Sequence, residues 1–243
     1  MQTQENTDPS PPETRKSIPE LSVVMPARDE EDALPLTLAE AVDVLESLCE
    51  RWELLVVDDG STDGTSTILN EWSEREPRVR VLIQHGRLGY SAAPRRGFDA
   101  ARYLVVLATD ADGQYDLREA EGFFGWLKGV DMVAGYRLQR HESWVRRFEA
   151  RIFNMLLGPT LGVRVQDVNC SFKMFRSSFL QMMDLSSEGF LIDAELFARA
   201  RPAGLRWIEI GVDQRPRAGG ASKVHLGAGW TAVRDLWRLR KDL

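Results

Sequence analysis

Apolar residues along this chain fall into short dense blocks, separated by longer stretches with helical spacing. Leu21-Ser22-Val23-Val24-Met25-Pro26 predicts a buried strand stopped by proline. From Ala33 to Cys49, residues Leu34, Leu38, Val42, Leu45 and Leu48 recur on one helical face. Glu53 to Val57 predicts a second strand, after which Ser61 or Asp63 can cap a helix carrying Ile68 and Trp72. Val79 to Ile83 and Tyr103 to Ala108 predict two more strands, with a helix around Pro94 to Arg102 between them, and Asp131 to Gly135 a fifth. Trp207 to Val212 reads as a late strand ahead of a terminal helix. Nearly all-apolar strands alternating with helices call for an α/β fold with a mostly parallel sheet covered on both faces. Ligands of such sheets bind beyond the carboxyl ends of the strands. Chemistry is therefore expected in the polar clusters that follow each strand.

Composition narrows the picture. The 243 residues suit one domain, expected over 21–243, with neither a repeat nor an internal linker. Residues 1–20 are polar and proline-rich and predict a leader without structure. No run reaches the ~18 apolar residues of a membrane span, and no basic start precedes an apolar stretch. A cytoplasmic location without a transmembrane segment is the expectation. A formal charge of -6 argues against nucleic acid as a partner. Cys49 and Cys170 match no metal-binding spacing.

The strongest local feature is Asp110-Ala111-Asp112-Gly113-Gln114, directly after the fourth predicted strand. In extended chain, residues two apart point to the same side, so both carboxylates can meet one hard cation, Mg²⁺ or Mn²⁺. An EF-hand does not fit, because the glycine falls at loop position four rather than six. A polar turn is the bland alternative for the same residues. After the second strand comes Asp58-Asp59-Gly60-Ser61-Thr62-Asp63-Gly64, whose carboxylates can accept from a base or a ribose; a capped strand-to-helix turn explains Gly60 and Ser61 equally well. After the first comes Pro26-Ala27-Arg28-Asp29-Glu30-Glu31. A dinucleotide-binding protein would carry a glycine-rich loop there, and acid in its place disfavours a dehydrogenase.

Taken in order, Pro26-x-x-x-Glu30, Val56-Val57-Asp58-Asp59-Gly60-Ser61-Thr62-Asp63-Gly64-Thr65 and Asp110-Ala111-Asp112-Gly113-Gln114 resemble the family 2 glycosyltransferases of GT-A fold. Within them the chain is most similar to the dolichyl- and polyprenyl-phosphate sugar synthases, over about Leu21 to Val224. The resemblance implies that Pro26, Arg28, Glu30 and Asp58 hold the nucleotide, together with Asp110 and Asp112. It implies that Asp110, Asp112 and Gln114 carry the metal, Mg²⁺ or Mn²⁺, and the donor diphosphate. Val133-Ala134-Gly135-Tyr136-Arg137 is similar to the segment whose arginine faces the acceptor phosphate, and Asp167-Val168-Asn169-Cys170-Ser171-Phe172-Lys173 to the segment lining the sugar and acceptor site. Arg217-x-x-Gly220-x-Ser222-Lys223 is similar to a loop that closes over phosphates. Arg28 departs from the pattern, standing where an aromatic residue is usual, and so does Arg87, standing for an asparagine.

The expected reaction is an inverting transfer of a hexose from a nucleotide sugar of GDP-mannose or UDP-glucose type to a polyprenyl or dolichyl phosphate. Asp112, Asp167, Arg137, Arg217 and Lys223 are the expected catalytic residues. Arg137, Arg147, Lys173 and Ser222 are expected to meet the acceptor phosphate. A phosphate acceptor is already ionised at pH 7 and needs no base; a hydroxyl acceptor would need one, with Asp167 the candidate. Transfer to a hydroxyl of a glycan or small molecule, nucleotidyl transfer, and a non-catalytic nucleotide-sugar binding module are the competing readings. A lipid acceptor also requires contact with a bilayer. Residues 143–157 and 226–240 have aromatic faces beside basic residues, suited to the membrane surface or to packing on the sheet.

Overall fold

The computed structural model describes residues 17–84, 91–139, 144–187, 191–217, 219 and 236–241. Seven strands, β1 (Ile18–Ala27), β2 (Cys49–Asp58), β3 (Val79–Ile83), β4 (Val105–Ala108), β5 (Met132–Arg137), β6 (Lys173–Arg176) and β7 (Trp207–Val212), form one sheet in the order β3-β2-β1-β4-β6-β5-β7. Every pairing is parallel except those of β6, which runs against both β4 and β5. Helices α1 (Leu34–Leu48), α2 (Thr65–Arg75), α3 (Ala92–Ala100), α4 (Ala120–Leu127), α5 (Trp144–Leu161), α6 (Ser177–Gln181) and α7 (Ile192–Ala200) connect them.

Strand periodicity places the core on both faces. Leu21, Val23 and Met25 of β1, with Val133 of β5 and Met174 of β6, pack with Leu34, Leu38 and Leu45 of α1 and Phe123 of α4. Their neighbours Met132, Ala134 and Phe175 turn the other way, onto Phe153 and Leu157 of α5 and Phe197 of α7. Residues two apart share a sheet face, and successive ones alternate. That is why these strands read as unbroken apolar runs.

Some boundaries differ from the expectation. β1 begins at Ile18, not Leu21, because Ile18 is fully buried and pairs with Cys49. Residues 18–20, expected in the leader, belong to β1 instead; residues 1–16 lie outside the described ones. Helix α2 takes Gly64 as its N-cap residue, rather than Ser61 or Asp63. Asp63 still accepts the Thr65 N–H at 3.0 Å. Strand β6 was not anticipated, since a lysine and an arginine bound its four residues.

The reversal of β6 matters for function. The parallel strands end at one edge of the sheet, and β6 begins there. The chain entering β6, residues 163–172, therefore joins the loops that leave the other strands.

Helix α3 lies very close to β1. A β-carbon on Gly97 would come within 2.2 Å of Val24 Cγ1, with backbone fixed on both sides. Gly97→Ala is expected to destabilise the fold by about 1–3 kcal/mol. A lowered urea midpoint with an unchanged slope is the expected reading, and an unchanged midpoint would show that the helix can move away.

Candidate active site

The loops after β1 and β2 hold each other. Asp29 sits in the left-handed region at φ 44°, a conformation aspartate tolerates better than most residues. Its N–H donates to Ser61 Oγ at 2.9 Å, and its Oδ1 accepts the Thr62 N–H at 2.6 Å. The Glu30 N–H donates to Thr65 Oγ1 at 2.7 Å, and Glu31 Oε2 accepts the Gly64 N–H at 2.6 Å. Asp58, buried at the end of β2, accepts from Ser61 N and Oγ at 2.9 and 2.6 Å and from Ser66 Oγ at 2.5 Å. The acidic loops thus make a rigid shelf, with Pro26 and the half-buried Arg28 on its β1 side. Arg28 Nε lies 3.5 Å from Asp29 Oδ2.

Beyond β4 the chain turns at Gly113, whose φ of 73° a side chain would oppose. Asp112 Oδ1 accepts the Gln114 N–H at 3.1 Å. Asp110 Oδ2 accepts from Ser171 Oγ at 2.6 Å. The two carboxylates lie close enough for each charge to act on the other. Burial, and then the Asp110 charge, pushes Asp112 up to about 7, with Arg217 pulling the other way. Burial also raises Asp110, opposed by the Ser171 hydroxyl and reinforced by the Asp193 charge. Two adjacent carboxylates in a desolvated place, both resisting ionisation, suit a divalent cation of hard character. Among the described residues no group of three or more His, Cys, Asp or Glu is gathered for a metal. The pair would therefore leave the other coordination positions to water and a diphosphate.

Arg217 reaches this place from the segment after β7. Its guanidinium pairs with both Glu30 oxygens, stands 3.3 Å from Asp112 Oδ2, and donates through Nε to the Gly219 carbonyl at 2.9 Å. The segment is anchored beside Gln114, whose carbonyl accepts the Arg215 N–H at 2.8 Å and whose Nε2 donates to the Arg215 carbonyl at 3.1 Å. Arg215 pairs in turn with Glu40 of α1 at 2.9 and 3.0 Å and with Asp116.

On the far side, Arg137 at the end of β5 grips Asp167 two-pronged, Nε to Oδ2 at 2.6 Å and Nη2 to Oδ1 at 2.9 Å. Beside Asp110 lies a cleft floored by Val24 and Ala108 and walled by Pro94, Phe98, Ile192 and Leu196, with Asp110, Ser171, Lys173 and Asp193 among its polar groups.

Lys173, expected at the acceptor phosphate, borders the cleft but is engaged inside the protein. Its side chain is only 1% exposed, and its ammonium donates to Asp193 Oδ1 at 2.6 Å, to the Val168 carbonyl at 3.0 Å and to the Cys170 carbonyl. All three N–H bonds are spent inside the protein. Arg147 lies on α5, but its side chain, like Ser222, Lys223 and Arg87, lies outside the described residues. The partners of Ser171 and Arg215, namely Asp110 and Glu40, were not legible from sequence, being 61 and 175 residues away.

Protonation of Asp112 must compete with any cation. Below about pH 7 the acid form prevails, so metal affinity should fall as the solution is acidified. A Mn²⁺ titration is expected to give a Kd about tenfold weaker at pH 6 than at pH 8. A Kd independent of pH over that range would contradict the placement of the cation on Asp112.

Comparison with known proteins bears on family and fold. The sequence pattern of glycosyl transferase family 2 matches residues 22–186. A dodecaprenyl-phosphate galacturonate synthase of Rhizobium johnstonii is 29% identical over 221 residues, covering 89% of this chain and 65% of its own length. An undecaprenyl-phosphate 4-deoxy-4-formamido-L-arabinose transferase of Edwardsiella ictaluri is 32% identical over 216 residues, covering 87% and 65%. A polyprenol monophosphomannose synthase of Mycolicibacterium smegmatis is 29% identical over 226 residues, covering 88% and 84%. The chain thus spans a little under two thirds of the first two relatives. Among solved structures, glucosyl-3-phosphoglycerate synthase from Mycobacterium tuberculosis superposes with a TM-score of 0.72 at 22% identity, over 92% of this chain and 80% of that one. Another crystal of that enzyme, with Mn²⁺, UDP-glucose and phosphoglyceric acid, gives 0.71 at 20%. The shared architecture is the expected GT-A fold. An acidic pair at the edge of that sheet, inside the stretch the family pattern covers, leaves a single assignment: this chain belongs to glycosyl transferase family 2.

Proposed function

We propose that this chain transfers a hexose, with inversion, from a nucleotide sugar to a polyprenyl phosphate. The observation that carries the choice of acceptor is the Arg137–Asp167 pair. Both oxygens of the carboxylate that would have served as base accept from one guanidinium, which suits an acceptor that needs no deprotonation. The names of the curated relatives, each a polyprenol or polyprenyl-phosphate enzyme, support the same choice.

The shelf of Pro26, Arg28, Glu30 and Asp58 would receive the base and ribose, and the diphosphate would lie over Asp110 and Asp112. A divalent cation, Mg²⁺ or Mn²⁺, held there would supply Lewis-acid stabilisation of the departing nucleoside diphosphate. Arg217 is a nearby cation of the chain itself, 3.3 Å from Asp112. Its planar fork is matched to phosphate oxygens, and it can exchange carboxylate partners for them. Arg137, fixed in orientation by Asp167, would offer charge to the acceptor phosphate. The apolar walls of the cleft beside Asp110 would exclude water, which otherwise competes as acceptor.

A lipid acceptor places the chain at a bilayer. The inner face of α5 is buried through Phe153 and Leu157, yet its outer face carries Phe148 and Met155, 59% and 69% exposed, beside the exposed Arg151. Trp237 is exposed too, with Arg238, Arg240 and Lys241 around it. We take these as a peripheral contact on the cytoplasmic face of a membrane. No helix among the described residues is long and apolar enough to cross one.

The test is a donor screen with GDP-mannose and UDP-glucose, Mg²⁺ or Mn²⁺, and anionic vesicles with and without polyprenyl phosphate. Sugar appearing on the lipid phosphate with release of nucleoside diphosphate is expected. Transfer only to soluble hydroxyl acceptors would contradict the acceptor reading, and release of pyrophosphate would contradict the reaction.

A further inference from the structure

Lys173 presents a problem that the reaction does not solve. It opens β6 in the middle of the sheet, paired in register with Ala108 of β4 and Ala134 of β5. An ammonium there is costly unless it is paired and fully hydrogen-bonded. Its three partners meet that requirement, and two of them are backbone carbonyls of the turn that precedes it, at Val168 and Cys170. The third, Asp193, comes from the first turn of α7.

That turn carries both contacts that shape the site. On one side of it Asp167 holds Arg137; on the other Ser171 holds Asp110. The turn has other ties: Glu209 of β7 accepts from the Gln166 N–H at 2.7 Å and from the Asp167 N–H, and the Cys170 thiol donates to the Tyr115 hydroxyl oxygen. The Cys170 N–H returns to the Asp167 carbonyl at 3.2 Å, and the Val168 N–H reaches Asn154 Oδ1 at 3.3 Å. Lys173 draws two of the turn's carbonyls toward a single point below the sheet edge. No other described side chain donates to them.

We propose that Lys173 is a positioning residue of the transfer centre. Its ammonium fixes the 167–171 turn, and thereby the Ser171–Asp110 and Asp167–Arg137 contacts, with Asp193 as its buried counter-ion. The proposal deepens the sugar-transfer reading and rests on it. It also assigns Asp193, which lines the cleft, to the protein rather than to the substrate.

The decisive variant is Lys173→Met/Asp193→Leu, because replacing both members of a buried pair with apolar groups often leaves stability near that of the parent. Thermal unfolding within about 5 °C of the parent is expected on that ground. The Mn²⁺ Kd should nonetheless rise about 10- to 100-fold, as when hydrogen bonding around a metal-binding carboxylate is disturbed. The kcat should fall roughly 100-fold, while KM for the nucleotide sugar stays within about threefold, since the hydrogen bonds of Lys173 go to Val168, Cys170 and Asp193 and not to the acidic shelf. A double variant that keeps the parent Mn²⁺ Kd and kcat overturns the proposal.

Asp193→Asn decides the matter if the double variant does not fold. It keeps an oxygen for the ammonium, so its Mn²⁺ Kd should match the parent and its kcat should remain within about tenfold. Complete loss of turnover with Mn²⁺ affinity intact would mean that Asp193 acts on the substrate, and would overturn the proposal. The Mn²⁺ measurements need no substrate, so failure of the functional reading, a parent that transfers no sugar, is distinguishable from failure of the positioning role, an unchanged Mn²⁺ Kd.

Discussion

Asp112→Asn is expected to lower sugar transfer by about a thousandfold or more while leaving the fold intact. Asp112 is nearly buried and shares its surroundings with Asp110 and the Arg217 guanidinium. An amide of the same shape keeps the acceptor for the Gln114 N–H but removes the charge that holds a cation. Electrostatic stabilisation of a leaving group in a desolvated site is worth several kcal/mol, and about 4 kcal/mol is a factor of roughly a thousand. Because Asp112 resists ionisation, the substitution should not destabilise the protein; its thermal midpoint should match or exceed the parent's. Steady-state transfer assays and thermal unfolding on the same preparation check both halves. Substantial turnover by the asparagine variant would remove Asp112 from the chemistry and favour a plain polar turn.

Arg217→Gln should divide two effects that would otherwise look alike. The guanidinium and a metal ion compete for the same acid, since Arg217 pairs with Glu30 and stands 3.3 Å from Asp112. In protein free of nucleotide, removing the guanidinium is expected to tighten Mn²⁺ binding by roughly three- to tenfold, the size of a partly exposed ion pair. Affinity for UDP or GDP should fall, because a fork matched to phosphate oxygens has been lost. Turnover should drop by about a hundredfold. Calorimetric titrations with Mn²⁺ alone and with nucleotide alone separate the two. Weaker Mn²⁺ binding in the variant would show that Arg217 supports the cation rather than competing with it.

These expectations draw on residues of unequal legibility. The strands Val79–Ile83 and Trp207–Val212 were readable to the residue, because an apolar block bounded by polar chain has one simple explanation in an α/β protein. Strand β6 was not. Its inward positions include a lysine, and the ammonium is tolerated only because Asp193 and two carbonyls converge on it. Nothing local to Lys173 announces that convergence. The acidic loops after β1, β2 and β4 were legible as a site by their place after strands. Their mutual hydrogen bonds were not: Asp29 and Glu31 accept backbone N–H groups across the gap and hold the shelf together. Asp167, a candidate base only for a hydroxyl acceptor, is found locked to Arg137, 30 residues away in sequence. The arginine and the aspartate were each noticed, but their partnership depends on β5 and the entry to β6 meeting at one sheet edge. The same holds for Arg217 and Glu30, which lie 187 residues apart.

The account rests on a cation shared by Asp110 and Asp112 next to the donor diphosphate. Its most direct test is an electron paramagnetic resonance titration of Mn²⁺ into the protein with UDP or GDP present, repeated with Asp110→Asn/Asp112→Asn. One Mn²⁺ per chain, bound more tightly with nucleotide than without and lost in the double variant, is the predicted result. Equal Mn²⁺ binding by parent and double variant would contradict it.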